Sequence, residues 1–189
     1  TLWIAENGFA SLNPPLGPDR RGSLSTHTTH PRFLRELSAL MQSVGGHCLI
    51  ENPFETLTKG EMFRRVADAV GIDAASTYLS STNSCSHTDA RYSGAPAGSS
   101  CGVCFGCLVR RAAFIASGIP DTTTYLSEDT SGRYETFVRQ KSIVEPLRDF
   151  VDRGIRPRDV MAMSLPEGYT AQDALALSQR GVEELRGLF

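Results

Sequence analysis

The segment CGVCFGCLVRRAAFIASG, residues 101–118, decides the fold of this chain, because it joins closely spaced cysteines to the start of a helix. Two thiolates three residues apart in a turn converge on one point, so each C-x-x-C can close around a metal ion. A fourth cysteine lies upstream, and the four are Cys85, Cys101, Cys104 and Cys107. Four thiolates match tetrahedral zinc and leave no coordination position open, which is typical of a structural site. We therefore predict a zinc knuckle over residues 85–107 that ties an irregular segment to the helix.

Other uses of the cysteines fit less well. An iron–sulfur cluster also takes four thiolates and is the main alternative. A redox C-x-x-C pair would leave two further cysteines without a role. His87, two residues after Cys85, is not needed as a ligand when four thiolates are present. The fifth cysteine, Cys48, falls in a predicted strand and is expected to be a small buried hydrophobic residue.

The composition narrows the class of protein. The chain has 189 residues, of which 40% are hydrophobic and 21% charged, so it can form a core without disulfides and is not a disordered tail. No apolar run approaches the ~20 residues that a membrane span needs. The formal net charge of −2 provides no overall attraction to nucleic acid. An odd number of cysteines, four of them clustered, favours a metal site in a reducing compartment such as the cytoplasm.

The first thirty residues contain little periodic structure. Residues 2–5 read as the end of a buried strand, so we expect the chain to begin inside a domain and to be truncated upstream. Residues 6–30 are rich in Gly, Pro, Asn, Ser and Thr, which predicts a long loop. Its hydroxyl and basic side chains suit either an anion-binding lip or a solvated connector.

An alternating pattern follows the loop. Pro31 is favoured in the first turn of a helix capped by Thr29 or His30, and Gly45–Gly46 ends that helix. Residues 47–50 form a short predicted strand. Helix and strand in alternation are typical of an α/β sheet with helices on its faces.

A second helix is predicted by a capping box. Thr58 and Glu61 have the S/T-x-x-E spacing, and apolar residues then recur at helical spacing until Gly71. Ligands of such sheets bind beyond the carboxyl ends of the strands, which is where residues 51–60 fall.

The sequence next predicts an irregular segment and further helices, and from about residue 130 it contains no recognisable chemistry. Residues 76–104 are expected to be irregular. A charged amphipathic helix is predicted over residues 131–152, kinked or split by Pro146, and a last helix begins near Thr170.

At this point two groups of residues resemble a known family. NSC (83–85) followed by CGVCFGCLVRRAAFIASGIPDTTTY (101–125) resembles the zinc-binding tail of 7-cyano-7-deazaguanine synthases, which reads S-C, then C-G-x-C-x-x-C-x-x-R-x-x-x-F, then G-x-x-D. HPRFLRELSALM (30–41) and NPFETLTKGEM (52–62) resemble a helix and the T-K-x-E turn of the same enzymes. The loop of residues 6–31 looks more like that of a diverged branch, of the kind found beside anti-phage defence or DNA-modification genes, and the long gap between Cys85 and Cys101 also departs from the housekeeping form.

The resemblance implies a fold and a division of the chain. The fold would be α/β, the distal part of a Rossmann-like (adenine nucleotide alpha hydrolase-like) parallel sheet of the PP-loop ATP pyrophosphatase type, with a four-cysteine zinc knuckle. Residues 1–125 would belong to that domain, and residues 126–189 would be a C-terminal helical extension.

The resemblance also implies an ATP-dependent ligase. ATP with Mg²⁺ would activate the carboxylate of 7-carboxy-7-deazaguanine as an acyl-adenylate, ammonia would displace AMP to give an amide, and ATP-driven dehydration would give the nitrile. Activation is needed because a carboxylate is a poor electrophile. Partners would be the small-molecule carboxylate and ATP, with a homodimer or proteins of a defence system as further expectations. The family's S-G-G-x-D-S loop does not occur in these 189 residues, so we expect this chain alone to bind ATP poorly and to be inactive.

Substrate-binding candidates come from the loop, the T-K-G-E turn and the helix after the cysteines. They are Arg21, Ser23, Thr26, Thr28, Thr29, His30, Asn52, Lys59, Glu61 and Arg110. Ordinary structural roles compete with these assignments: Glu61 as a helix cap, Asn52 as a turn residue, Lys59 as a solvated cation.

Two other classes of function remain open. In the first, the knuckle is a nucleic-acid or protein binding module, with Arg91, Arg110 and Arg111 as its positive charges. In the second, the chain is another PP-loop enzyme, such as a tRNA-thiolating one, which would hold iron rather than zinc.

Overall fold

The computed structural model describes residues 1–15 and 28–189. Two short strands, β1 (Leu2–Trp3) and β2 (Ile50–Glu51), lie among nine helices in these ranges. The helices are α1 (Gly8–Leu12), α2 (Pro31–Ser43), α3 (Lys59–Val70), α4 (Ile72–Ser80), α5 (Phe105–Ser117), α6 (Glu135–Lys141), α7 (Val144–Arg153), α8 (Pro157–Met161) and α9 (Ala171–Arg186). Short 3-10 helices span Thr88–Ser93 and Leu126–Glu128.

The two strands pair in parallel. Leu2 lies opposite Ile50 and Trp3 opposite Glu51. The prediction of an α/β chain is confirmed, whereas a Rossmann-like sheet stays a prediction, because the described residues contain only this two-stranded sheet. The prediction that β1 is buried is wrong, since Leu2 and Trp3 are 54% and 73% exposed.

Helix α2 is capped as predicted. His30 is its N-cap, with Nδ1 accepting a hydrogen bond from the amide of Arg32, and Pro31 occupies the first turn. The Ser38 hydroxyl accepts a hydrogen bond from the amide of Ile50 at 3.0 Å, which fixes α2 against β2. The apolar face is mostly open: Leu34 is buried, but the side chains toward the carboxyl end are exposed. Parallel sheets are normally covered by helices on both faces, so the exposed apolar face of a helix that packs beside this sheet is unusual.

The capping box of α3 is present. The Thr58 hydroxyl accepts a hydrogen bond from the amide of Glu61 at 3.2 Å, and Glu61 Oε2 accepts one from the amide of Thr58 at 2.8 Å. Gly71 ends the helix, as the sequence predicts.

Removing this cap tests its contribution. Thr58→Ala is expected to lower the free energy of unfolding by about 1–2 kcal/mol, because the amide of Glu61 loses a partner that water cannot replace at this buried position. Denaturant unfolding followed by circular dichroism measures the effect. Thr77→Ala in the exposed part of α4 is the control and should change little; equal stability of the two variants would contradict the capping role.

The main core joins the middle of the chain to its C-terminal third. Helix α5 packs against both α3 and α9, and α9 also contacts α1, α7 and α8. The largest buried cluster contains Phe9 and Leu108 as well as Leu147, Phe150 and Leu185. It therefore draws on both sides of residue 125, and the division of the chain at that point stays a prediction.

Several sequence expectations need correction. The predicted loop 6–30 contains α1, and the predicted irregular segment 76–104 begins inside α4. Neither helix carries a long apolar repeat, since α1 has five residues and α4 nine. Cys48 is half-buried and lies outside the strand, which is shorter than predicted and shifted to Ile50–Glu51.

The charged helix of residues 131–152 is split, which is one of the two outcomes that the sequence predicts. Helix α6 ends at Lys141 and α7 begins at Val144, so Pro146 lies in the first turn of α7 rather than at the break. Proline is tolerated there because the first amides of a helix have no intrahelical acceptor. Within the described ranges, no helix has the length and apolar character that crossing a membrane requires.

Candidate metal centre and the neighbouring turn

The four clustered cysteines converge on one point. All four sulfur atoms lie within 4.8 Å of one another. The Sγ atoms of Cys101 and Cys107 are 3.9 Å apart, as are those of Cys85 and Cys104. Tetrahedral zinc with Zn–S bonds of ~2.3 Å places its sulfurs ~3.8 Å apart, so the observed spacing fits that ion. The site could hold a metal such as zinc, as the sequence predicts.

Local backbone geometry brings the sulfurs together. Cys104 is the N-cap of α5, which places Cys107 one turn into the helix. The amides of Val103 and Cys104 point at Cys101 Sγ at 3.4 and 3.3 Å, and the amide of Cys101 points at Cys85 Sγ at 3.4 Å. Gly102 has φ +85°, and a Cβ there would clash with Ser127. Only glycine can adopt this positive φ easily and also avoid the clash with Ser127.

Two of the thiols, those of Cys101 and Cys107, resist ionisation when no cation is near, whereas hydrogen bonds with these two residues lower the pKa of Cys104. The hydrogen bond with Cys104 raises the pKa of Cys101 to about 12, and burial contributes to that rise. The pKa of Cys107 is also raised, through its hydrogen bonds with Cys101 and Cys104 and through burial. A bound divalent cation reverses this preference, because metal ligation requires thiolates and releases protons.

The surroundings of the cluster are apolar and leave His87 outside it. Cys101, Cys104 and Cys107 belong to a buried cluster with Tyr125 and Phe137. His87 Nδ1 instead faces Asp89 at 3.6 Å, and Asp89 also pairs with Lys141 at 2.7 Å. Excluding His87 from the ligand set agrees with this placement.

Arg110, a predicted substrate contact, is fully buried. Its Nη1 donates to Thr82 Oγ1 at 2.7 Å, and its Nη2 donates to Leu79 O at 2.5 Å and Thr123 Oγ1 at 3.0 Å. The guanidinium also lies over the ring of Phe114, 5.3 Å from its centroid. Since none of Arg110 is accessible, its role in this structure is to join α5 to the end of α4.

The turn before α3 contains three further candidates. Asn52 donates to Glu6 O at 2.7 Å and accepts a hydrogen bond from the amide of Phe54 at 3.0 Å, which is the turn role. Glu61 caps α3 and pairs with Arg180 at 2.8 Å, which is the cap role. Lys59 is half-buried rather than solvated.

Burial lowers the pKa of Lys59, and repulsion from Arg110 contributes, while Glu6 opposes the change. Lys59 and Arg110 are therefore close enough to interact electrostatically. Among the described residues, no carboxylate forms an ion pair with either cation.

The loop candidates divide into two groups. Arg21, Ser23 and Thr26 lie outside the described residues. Of the others, Thr28 is exposed, Thr29 is half-buried, and His30 is the buried cap of α2. Their assignment to a substrate site stays a prediction.

Sequence reasoning missed a cleft beside the knuckle. It has a volume of about 540 Å³ and is lined mainly by hydroxyl-bearing and aromatic residues from three segments. Among them are Thr82, Asn83, Ser99, Thr123, Tyr125 and Tyr134. The size suits a small ligand. The only sequence signal was the density of Ser and Thr in these segments, which also suits a solvated loop.

The geometry thus defines an α/β protein in which four converging cysteines could hold a metal ion such as zinc. Comparison with known sequences shows which proteins the chain is similar to. The chain is 36% identical over 92 residues to the 7-cyano-7-deazaguanine synthase of Syntrophobacter fumaroxidans, a match covering 48% of this chain and 34% of that protein. It is 38% identical over 81 residues to the synthases of Cupriavidus taiwanensis and Aromatoleum aromaticum, covering 43% of this chain and 30% of each relative.

The resemblance to the 7-cyano-7-deazaguanine synthase family is therefore confirmed over the matched part of the chain. The matches span about a third of the length of these relatives. No protein-family profile matches the chain, and no solved structure matches it. The diverged defence or DNA-modification branch stays a prediction.

Proposed function

We propose that this chain is the metal-binding distal part of an ATP-dependent ligase of the 7-cyano-7-deazaguanine synthase type. The observation that carries the proposal is the 36–38% identity to curated synthases over 81–92 residues. The convergence of four thiolates supports it, because the same cysteine pattern led to that family from the sequence.

The substrate would be a 7-deazapurine carboxylate. Activation by ATP, with Mg²⁺, turns the carboxylate into an acyl-adenylate, from which ammonia displaces AMP to form an amide; a second activation and loss of water give the nitrile. Catalysis of this kind depends mainly on positioning and on stabilising phosphate charge.

This chain's own contribution is to position one wall of the site. The turn before α3 contributes Lys59, a half-buried cation that forms no ion pair among the described residues and whose pKa is lowered by burial and raised by Glu6. The metal, when bound, cross-links the knuckle. That cross-link holds α5, and through Arg110 it holds the end of α4, which borders the cleft.

A reconstitution experiment tests the proposal. The chain is mixed with, or fused to, the N-terminal two thirds of the S. fumaroxidans synthase and incubated with ATP, Mg²⁺, ammonia and 7-carboxy-7-deazaguanine. We expect ATP-dependent amide or nitrile, detected by mass spectrometry, and none from either part alone. Failure to form product, when the complete relative forms it under the same conditions, would contradict the ligase assignment.

A second candidate function rests on one exposed aromatic residue. Tyr92 is 80% exposed on the knuckle, and Arg91 lies 5.0 Å from its ring centroid. An aromatic ring with an arginine is a platform on which an unpaired base stacks. Binding of a single-stranded oligonucleotide that weakens steeply with salt and is lost in Tyr92→Ala would favour this module; salt-independent binding of a small carboxylate would favour the ligase.

A further inference from the structure

Strand β1 has a free edge. The amides of Leu2 and Ile4 donate to Leu49 O at 2.7 Å and to Glu51 O at 2.9 Å. In a parallel pair, alternate residues of a strand direct their N–H and C=O groups to the same neighbour, so those of Trp3 point to the opposite edge. Within the described ranges no backbone group pairs with Trp3 there. An open strand edge is a template on which a further strand can pair.

One face of the same small sheet is also open. Trp3 Nε1 donates to Glu51 Oε2 at 3.2 Å, which places these two side chains on one face. Both are exposed, so nothing among the described residues covers that face. Parallel sheets are found almost only with both faces covered, and a sheet of two short strands has little stability of its own. The pair β1–β2 therefore has the properties of a sheet that another unit completes.

Helix α2, which connects the two strands, carries an uncovered apolar stripe. Its buried side contains Leu34 and Ser38, and the Ser38 hydroxyl holds β2. Roughly a third of a turn away, apolar residues follow at steps of four, three and four. These residues, the α2 stripe, are Phe33, Leu37, Leu40 and Val44. Leu40 and Val44 are 60% and 74% exposed, although this spacing is typical of a helix that packs against a neighbour.

The kind of partner follows from the combination of these surfaces. Units of strand, crossover helix and parallel strand extend a sheet by strand pairing and set their helices side by side on its faces. A second such unit therefore satisfies the free edge of β1 and the α2 stripe together. A second copy of this chain joined through the stripe alone would use four residues, whereas a stable interface uses about 20–30 residues a side.

The lengths of the relatives indicate where that unit comes from. The match with the S. fumaroxidans synthase covers 34% of that protein, so two thirds of its length lies outside the match. The remainder of a ligase of this type is thus large enough to supply strands and helices next to β1 and α2.

We propose that the free edge of β1 and the α2 stripe form the docking surface for the remainder of the ligase. That remainder adds a parallel strand beside β1 and a helix beside α2, whether it lies on the same polypeptide or on another. The inference rests on the proposed function and deepens it, because it names the residues through which the two parts of the enzyme meet.

Trp3 reports on this docking, because it is the only tryptophan of the chain and is 73% exposed. Its fluorescence is compared in the zinc-loaded chain and in a fusion with the N-terminal two thirds of the S. fumaroxidans synthase, whose tryptophans are replaced by phenylalanine. We expect emission in the fusion to shift to shorter wavelength and quenching by acrylamide to fall about threefold. Equal quenching in the chain and the fusion would overturn the proposal.

Charges on the stripe test the second part of the surface. Leu40→Lys with Val44→Lys in the fusion is expected to restore most of the acrylamide quenching. Val70→Lys with Tyr78→Lys is the matched control, because it adds the same charge at exposed apolar positions near the carboxyl ends of α3 and α4. The same quenching in both double variants would contradict the role of the stripe.

A further measurement needs only the chain itself. Leu40→Lys with Val44→Lys is expected to leave its melting temperature within about 2 °C, because the stripe has no cover among the described residues. A larger fall would show that the stripe packs within the chain and would overturn the proposal. A dimer of the unmodified chain that this double variant dissociates, measured by sedimentation velocity, would assign the surface to a second copy instead.

The two proposals fail separately in the same fusion. Protection of Trp3 without formation of amide or nitrile would keep the docking surface and contradict the ligase assignment. Product formed while Trp3 stays fully quenchable would keep the ligase and contradict the docking surface.

Discussion

Replacing Cys104 by serine is expected to abolish stoichiometric zinc binding and to lower the melting temperature of the chain substantially. Structural zinc contributes its binding energy directly to folding, and a serine hydroxyl is a poor substitute for a thiolate. A loss of about 4 kcal/mol corresponds to a fall of roughly 10 °C for a domain of this size. Metal analysis of the purified chain and thermal unfolding measure both parts of the effect.

Cys48→Ser is the matched control for that experiment. Cys48 is half-buried and lies outside the cluster, so the same chemical change there should leave the zinc content intact and the melting temperature nearly so. Excess chelator should reproduce the Cys104→Ser result in the unmodified chain. An unchanged melting curve with no zinc released would contradict a structural zinc site. Iron in place of zinc would favour the tRNA-thiolating class of enzyme.

The metal centre was the part of the chain most open to prediction from sequence. Three of its ligands lie within seven residues, at a spacing whose geometry is local, and Gly102 permits the turn between the first two. The fourth, Cys85, is distant in sequence and was assigned because tetrahedral zinc takes four ligands. The capping box of α3 is local in the same way, and the contacts of Thr58 and Glu61 confirm it.

Some of the predictions that failed concern contacts distant in sequence. The apolar character of Leu2 and Trp3 predicted burial, but burial depends on what packs against β1, which the pattern of a strand does not state. No prediction concerned Glu184, and nothing local in the sequence of α9 indicates that its carboxylate reaches Thr58. The T-K-G-E turn was predicted to line a substrate site, which stays a prediction, and its contacts with α9 were not visible in the sequence.

Arg110 shows a similar limit. Its position after Cys107 suggested a cation directed at a substrate, because a charged residue is expected to face solvent or a ligand. The structure surrounds it instead with the last turn of α4, two threonine hydroxyls and the ring of Phe114. The threonines donate their own protons to backbone carbonyls, Thr82 to Leu79 O and Thr123 to Ser80 O. The guanidinium charge is thus met by the negative carboxyl end of a helix.

Arg110→Ala is therefore expected to cost about 3–5 kcal/mol of unfolding free energy, because it opens a cavity in the core and leaves buried acceptors without a donor. Arg110→Lys should recover only part of that loss, since an ammonium cannot span acceptors that a planar guanidinium reaches together. Arg111→Ala is the control. That side chain pairs with the exposed Glu128, and its loss should cost about 1 kcal/mol or less. Chemical unfolding in excess zinc measures all three variants with the metal site held constant. Equal midpoints for Arg110→Ala and Arg111→Ala would show that the buried network does not join α5 to α4 energetically, and the cleft beside it would then need another support.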